Sequence, residues 1–330
     1  MGLATGAAST WLAPVRLKAV AVAALIALAL ADYATIRAHD DGVMIARTLA
    51  GLPEGCLLWI MISMIARTQT PERWAGVFFT VSTAAQLAIA FGFARWVLPQ
   101  HGADGGFAVL VLISLMGLVA VFWIPNRFAP LPKPEGESGM PPPRGRFALF
   151  ATLIYVGATS TVGIYLQPLA HEAGLGADVA RTAVWISLAA QIVGGLAATI
   201  LAGHIRYFAA FIAASVTFLG VWMVFLSHPP AWAFIAANAA GGMMGLFMSP
   251  FLIPMTIEAD PSRRAAVQSG GTQVLAGALR PFATSFVVGD NDVHGAIFLG
   301  TIGLIVGLAM IAGLHFTSSH SAIARNNAEV

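Results

Sequence analysis

The chain has 330 residues, of which 58% are apolar and 10% are charged, and its mean hydropathy is +0.80. A soluble domain carries about 25% charged residues, so this composition predicts an integral membrane protein. The net charge of +2 gives no sign of a nucleic-acid-binding surface, and one cysteine, Cys56, allows neither a disulfide framework nor a Cys-based metal site.

Windows of about 20 apolar residues predict ten full transmembrane helices, and hence an all-α integral membrane fold. Residues 2–14 form a further uncharged stretch that is too short to cross a bilayer. The ten predicted spans cover residues 16–37, 42–66, 73–98, 104–125, 147–170, 179–203, 207–227, 231–256, 265–288 and 294–316.

The first predicted span has a second interpretation. Arg16 and Lys18 precede an Ala- and Leu-rich run that ends near Ala31, and such a pattern is also typical of a signal peptide. We favour a transmembrane helix, because this run matches the span at 207–227 in an internal repeat.

The second span carries charges inside an apolar run. Arg47 and Glu54 lie at membrane depth, where a charge is costly unless it faces a bundle interior or an aqueous cavity. Arg47, Gly51 and Gly55 recur every four residues, so they share a small, polar helix face that should pack inward. Arg47 and Glu54 lie on one face, about 10 Å apart along the axis. We expect Arg47 to meet an anionic substrate group or balance charge, and Glu54 to carry a proton; a structural ion pair is the alternative.

The segment between the fourth and fifth spans differs in kind. It is rich in proline and basic residues, which is typical of an exposed linker between two helical halves. We therefore predict a first bundle at residues 1–126 with four full spans and a partial one, a linker at 127–146, and a six-helix bundle at 147–330.

Loop charge predicts the orientation, because loops rich in Lys and Arg stay in the cytoplasm. Arg37, Arg95 and Arg181 lie on one side of the predicted spans. We expect the opposite side, with the linker and both termini, to be cytoplasmic in a bacterial inner membrane. That side carries Arg16, Lys18, Arg67, Arg73, Arg127, Lys133, Arg144, Arg146, Arg206, Arg263, Arg264 and Arg325.

An offset of about 190 residues superimposes two parts of the chain. Gly51 aligns with Gly242 at this offset, and Arg47 aligns with Asn238. The basic loops of both copies lie on the same side, so the repeat is parallel, with its axis along the membrane normal. With the offset subtracted, the first span of the second bundle has no counterpart. We therefore expect a fold that lacks one whole helix and most of a second, and interpret the chain as an N-terminally shortened form of a twelve-helix protein.

Three short motifs accompany this architecture. Residues 47–51 read Arg-Thr-Leu-Ala-Gly, residues 51–55 read Gly-Leu-Pro-Glu-Gly, and residues 260–264 read Asp-Pro-Ser-Arg-Arg. Together with the repeat, the topology and the linker, they resemble the major facilitator superfamily (MFS), whose members have two six-helix halves joined by a cytoplasmic loop. The first motif looks like the Arg-x-x-Gln-Gly of proton-coupled members, with Ala50 in place of the glutamine.

The resemblance implies a central cavity lined by the spans at 147–170 and 231–256. Asp32 is expected to pair with Arg37 at the membrane interface, or to take part in proton coupling. Arg280 either faces the cavity or reaches outward to the interface. The candidate residues of the substrate cavity are Tyr155, Thr159, Tyr165, Gln191, Asn238 and Gln273.

The function that the resemblance implies is secondary active transport of a small organic solute by alternating access, coupled to protons through Glu54 or Asp32. We expect a monomer in the lipid bilayer, with no enzyme activity, no cofactor, no metal and no nucleic-acid partner. One alternative is a truncated remnant that does not transport. Another is a ten-helix drug/metabolite-type carrier with two inverted five-helix halves, against which the parallel offset argues.

Overall fold

The computed structural model of the protein describes residues 1–12, 15–129, 131, 140–288 and 294–326. Side chains in its helices are described except at residues 10, 11, 280, 281 and 318–326. The elements in these ranges are helices, and the one isolated β-bridge among them joins Val15 to Arg127. The predicted all-α fold is confirmed.

The first part of the chain forms five α-helices, which we call the first bundle. A π-helical turn, Phe93–Val97, joins the fourth helix to the fifth, and a 3₁₀ turn, Val121–Trp123, ends the fifth. The third helix continues through Pro53. The bounds are α1 (Gly2–Trp11), α2 (Leu17–Arg37), α3 (Asp41–Ile65), α4 (Pro71–Gly92) and α5 (Leu98–Ala120).

The second part forms eight further helices in the described residues, which we call the second bundle. A 3₁₀ turn, Ser249–Phe251, separates two of them at Pro250, and Tyr165 separates another two. The bounds are α6 (Pro143–Ile164), α7 (Leu166–Glu172), α8 (Ala177–Leu201), α9 (Tyr207–Leu226), α10 (Ala231–Met248), α11 (Leu252–Ala259), α12 (Arg264–Thr284) and α13 (His294–Asn326).

Eight helical segments in the described part of the chain are long and apolar enough to cross a membrane, whereas ten spans were predicted. Two features account for the difference. The predicted spans at 73–98 and 104–125 fall on one continuous helical segment, Pro71–Trp123, which is counted once. Gly102 interrupts this segment with φ 62° and ψ −160°, a conformation that glycine reaches without steric cost. α12 is not among the eight, because Gln268, Gln273 and several glycines lower its hydropathy.

The packing of the helices repeats between the two bundles. α3 packs against α1 and α2, just as α10 packs against α8 and α9. α2 packs against α5, just as α9 packs against α13. Between the bundles, α1 contacts α12, and its equivalent α8 contacts α4. A parallel repeat about an axis along the membrane normal produces these equivalent pairs.

Two hydrophobic cores hold the helices together. The core of the second bundle contains Phe211 and Trp222 and draws on that bundle alone. The other core, around Trp59 in the first bundle, also includes Ile253 and Val267 from the second, so it continues across the boundary. Lipid tails are as apolar as these side chains, and the helices therefore associate through close packing rather than through the hydrophobic effect.

Several close contacts between the bundles join a glycine of one helix to a threonine of another. A Cβ placed on Gly76 of α4 would lie 2.4 Å from Thr199 Oγ1 of α8, and one on Gly195 would lie 2.3 Å from Thr80 Oγ1. A Cβ on Gly271 of α12 would lie 3.0 Å from the Thr5 Cβ of α1. The α4–α8 contacts lie near the start of α4 and the end of α8, where the arginine-bearing loops run. We call this side of the molecule, with Arg67, Arg206 and Arg263, the basic end.

Candidate functional site

An ion pair inside the first bundle joins α2 to α3. Arg47 Nη1 lies 3.0 Å from Asp32 Oδ1, and the Asp32 side chain is only 4% exposed. The Arg47 guanidinium, 31% exposed, also lies 5.4 Å from the centre of the Phe107 ring on α5. Close pairing lets opposite charges remain within a helical bundle, because an isolated charge there would lose its hydration without compensation. Arg47 thus connects three helices.

The expected pair between Asp32 and Arg37 is wrong. Arg37 Nη2 donates a hydrogen bond of 3.2 Å to Tyr33 Oη, and its guanidinium lies 5.5 Å from the centre of the same ring. Tyr33 and Arg37 are four residues apart and share a helix face, whereas Asp32 is five residues from Arg37 and faces elsewhere. Asp32 therefore reaches the neighbouring helix.

Glu54 lies near the middle of α3 with a half-buried side chain. Arg47 pairs with Asp32 of α2, so the ion pair that joins α3 to its neighbour does not include Glu54. Within the described residues, Glu54 has no ion-pair partner. No group of three or more His, Cys, Asp or Glu side chains in this part of the chain could hold a metal ion. Arg47 and the amino group of Met1 interact with Glu54 electrostatically, but neither forms an ion pair with it.

A cavity of about 340 Å³ lies in the second bundle, between α6 on one side and α8, α9 and α10 on the other. Three of the predicted substrate-cavity residues, Thr159, Gln191 and Asn238, line it together. Asn238 Nδ2 also donates a hydrogen bond of 2.9 Å to the Ala183 carbonyl oxygen, which fastens α10 to α8. The structure brings together polar groups from three helices that are distant in sequence.

The structure corrects the expectation that Tyr155 lines a cavity wall. Its side chain is fully buried, and its hydroxyl oxygen lies 3.1 Å from the Phe211 carbonyl oxygen and 2.8 Å from Ser215 Oγ. Tyr155 lies one helical turn before Thr159 on α6, nearer the basic end. Its ring fills the space between α6 and α9 and packs edge-on against Phe211. Tyr155 therefore belongs to the core of the second bundle and does not line the cavity.

The remaining candidates lie apart from this cavity. Tyr165 interrupts the helical path between α6 and α7 and packs against the second core, half-buried. Gln273 lies on α12, and its Nε2 is buried without a hydrogen-bond partner among the residues described. The side chain of Arg280 lies outside the described side chains, so its role stays a prediction.

Two arginines at the basic end have contacts that the sequence did not indicate. Arg263 Nη1 donates a hydrogen bond of 2.7 Å to the Ala66 carbonyl oxygen at the end of α3, across the bundle boundary. Arg67 Nη1 donates one of 2.8 Å to the Ser63 carbonyl oxygen. Burial and the nearby Arg263 guanidinium lower the pKa of Arg67. The last carbonyls of a helix lack intrahelical partners and attract cations. The motif around Arg263 was visible in the sequence, but its backbone target was not.

Both ends of the linker are also held by arginine. Arg67 Nε donates a hydrogen bond of 3.0 Å to the Ala129 carbonyl oxygen, and its guanidinium lies 4.8 Å from the centre of the Phe128 ring. Arg264 Nη1 donates one of 3.2 Å to the Met140 carbonyl oxygen. Each bundle thus fastens the end of the linker next to it.

Comparison with known proteins agrees with this architecture. The sequence model of the Major Facilitator Superfamily matches residues 1–284. A search of curated protein sequences gives no match. Similar solved structures include the fucose:proton symporter FucP of E. coli, with a TM-score of 0.72 and 14% identity over 94% of this chain and 86% of that one.

Two further structures share the fold. The human organic anion transporter MFSD10 (TETRAN) gives a TM-score of 0.67 and 13% identity over 95% of this chain and 79% of that chain. A bacterial homologue of the iron transporter ferroportin, in an outward-facing state, gives 0.69 and 12% identity over 95% of this chain and 87% of that chain. Sequence identities this low show only a shared fold. The sequence model of the superfamily, in contrast, matches most of the chain and establishes the family. The chain belongs to the Major Facilitator Superfamily.

Proposed function

We propose that the protein is a proton-coupled secondary transporter that moves a small organic solute across a bacterial inner membrane by alternating access. The observation that carries this proposal is that each of the two bundles holds polar groups within an apolar helical fold. The bundles meet through small residues at the basic end, while the first presents Glu54 and the second a cavity with Gln191 and Asn238. We further propose that the protein works as a monomer and, from its loop charges, that both termini and the basic end lie in the cytoplasm.

The similar solved structures support solute transport but do not identify the solute. FucP is a fucose:proton symporter, MFSD10 transports organic anions, and the third neighbour is related to an iron transporter. Their different cargoes indicate that this fold serves many solutes, so substrate choice has to come from the side chains of this chain.

Glu54 is the carboxylate that we assign to proton coupling. Asp32 is paired with Arg47, so its charge is already balanced. Glu54 is half-buried and forms no ion pair within the described residues, and such a carboxylate favours its neutral form when water is removed and its ionised form when water returns. Alternating access changes this hydration in each cycle, and Glu54 would then bind and release one proton.

Replacing Glu54 with Gln tests the assignment. In proteoliposomes with an imposed pH gradient, we expect the Glu54→Gln variant to lose gradient-driven uptake of any solute that the parent carries. Exchange of labelled for unlabelled solute should persist, because exchange does not require the proton to leave. Uptake is measured with radiolabelled sugars, polyols and carboxylates, and proton entry with a trapped pH-sensitive dye.

Glu72→Gln, at the start of α4 near the basic end, provides the matched control and should keep full uptake. Gradient-driven uptake that survives in Glu54→Gln would remove Glu54 from the coupling. Parent protein that carries none of the solutes would instead favour the non-transporting remnant.

A further inference from the structure

The cavity of the second bundle has an aromatic wall on the side of α9. Phe218, Trp222 and Phe225 of α9 form one wall, and all three are nearly fully buried. Its volume of about 340 Å³ falls in the range of small-molecule sites.

Most of the hydroxyl donors in this cavity are already used by the helices themselves. Thr159 Oγ1 and Ser160 Oγ each donate to the Val156 carbonyl oxygen, at 3.0 and 2.9 Å. Ser249 Oγ donates to the Gly245 carbonyl oxygen at 2.7 Å. These hydroxyl oxygens keep only their lone pairs for a ligand, because each has one proton to give.

The two amides of the cavity differ from each other. Asn238 donates one of its two N–H groups to the Ala183 carbonyl oxygen, so its Oδ1 and its second N–H are left for a ligand. Gln191 makes no side-chain hydrogen bond within the described residues and can both donate and accept. The cavity therefore offers more acceptor lone pairs than donor protons, and its complement is a molecule that is rich in O–H or N–H donors.

None of the described residues that line the cavity carries a charge. An anionic group would find no cation there and would face lone pairs. An ammonium group would find no carboxylate, and aromatic faces alone compensate only part of its lost hydration. Hydroxyl groups satisfy the acceptors without bringing a net charge into the membrane interior, and the apolar face of a ring packs on the aromatic wall.

We propose that this cavity is the specificity site for the transported solute and that it takes a small, uncharged, polyhydroxylated molecule. The assignment rests on the proposed transport function. Solute hydroxyls donate to Asn238 Oδ1 and to the hydroxyl oxygens, Gln191 both donates and accepts, and the Trp222 side of the cavity covers the carbon skeleton.

Binding to the detergent-solubilised protein tests this assignment without any gradient. The probes are galactose and inositol as neutral polyols, gluconate as a polyhydroxylated anion, and choline as a cation. Quenching of tryptophan fluorescence reports binding, and the Trp222→Phe variant shows which part of the signal arises in the cavity. We expect saturable quenching by at least one neutral polyol, a signal that disappears in Trp222→Phe, and no competition by gluconate or choline.

The Gln191→Met variant removes the free amide and keeps the side-chain length, and it should weaken polyol binding about tenfold. Gln86→Met, at an exposed position on α4, serves as the matched control and should bind as the parent does. Binding that survives in Gln191→Met, dependence on Gln191 for gluconate or choline, or no binding of either polyol would each overturn the assignment. Protein that binds a polyol but fails to carry it in proteoliposomes would refute the transport function and leave the site standing.

Discussion

Asp32 is almost fully buried, and its charge is balanced by Arg47 from the neighbouring helix. The pair makes the first bundle sensitive to the loss of either charge, because the remaining one would be buried without compensation. Removing both charges together leaves neither unpaired. The two residues should therefore behave as a coupled unit rather than as independent sites.

We predict that Asp32→Asn alone lowers the free energy of unfolding by about 1–3 kcal/mol. Adding Arg47→Met to the same chain should recover part of that loss. The measurement is the thermal unfolding midpoint in detergent. Arg181→Gln breaks an exposed pair with Asp178 and should leave the midpoint unchanged. Additive losses in the double variant would contradict the coupling.

At this scale the sequence indicated the charged residues but not their partners. Asp32 and Arg47 were both singled out, yet Asp32 was expected to pair with a nearer residue along the chain. The true partner lies on another helix, and its choice depends on how α2 is rotated about its axis. Tyr155 illustrates the same limit, because the family resemblance implied a cavity-wall position and the packing against α9 made its side chain part of the core. Arg263 binds backbone carbonyls, which have no sequence signature.

At the level of helices, the close packing of α8 against α4 and α10 depends on glycine residues at the contacts. A Cβ on Gly194 would lie 1.9 Å from the Met243 carbonyl oxygen, so α8 and α10 approach with backbones nearly touching. On the other side of α8, a Cβ on Gly76 would also lie 3.2 Å from the Thr199 backbone. α8 is thus held closely by a helix from each bundle.

We predict that Gly76→Ala forces α4 away from α8 and opens the basic end. The reporter is Ile62→Cys in a Cys56→Ser background, since Ile62 is 1% exposed and packs on Gly270 at this end. Labelling by a water-soluble maleimide should become several-fold faster. Gly220→Ala on α9 meets no atom within 4 Å and should leave labelling unchanged. Equal labelling in the Gly76 variant would show that this close packing does not hold this end closed.

The helices themselves were largely predictable, since long apolar runs are the strongest signal in a membrane sequence. Eight of the ten predicted spans begin within two residues of the observed helices. The largest differences fall at α5 and α6, which begin six and four residues before the predicted spans. α6 begins in the linker at Pro143, where proline is well suited to the first helical turn. Hydropathy did not predict the separation of α11 from α10, because the 3₁₀ turn at Pro250 lies within a continuous apolar run.

Across the whole molecule, Arg263 is a point where one bundle holds the other at the basic end. Its guanidinium reaches the Ala66 carbonyl oxygen from the loop that precedes α12. Asp260 sets that loop, because its carboxylate accepts hydrogen bonds from Ser262 N and Ala265 N at 3.0 and 2.8 Å. The contact would have to break whenever this end opens.

We predict that Arg263→Ala accelerates labelling of the same Ile62→Cys reporter several-fold, because the contact stabilises the closed form. Arg206→Ala is the control, since Arg206 is exposed at the same end and its side chain makes no hydrogen bond or ion pair within the described residues. Unchanged labelling in Arg263→Ala would place the stabilisation elsewhere, for instance in the glycine contacts alone.

The parallel repeat was readable from the sequence, and the family match excludes the inverted ten-helix carrier. The contact between Arg263 and Ala66 at the basic end could not be predicted from the sequence, because it joins segments nearly 200 residues apart through a backbone carbonyl.

The bond between Arg263 and Ala66 has one consequence for energetics. A guanidinium stays charged throughout the physiological range of acidity, and a peptide carbonyl does not titrate. The two groups that form this bond therefore do not respond to the proton concentration on either side of the membrane. In a proton-driven cycle, the group that binds the proton, Glu54, and the group that holds the basic end closed, Arg263, are then separate. Each can be substituted without removing the other.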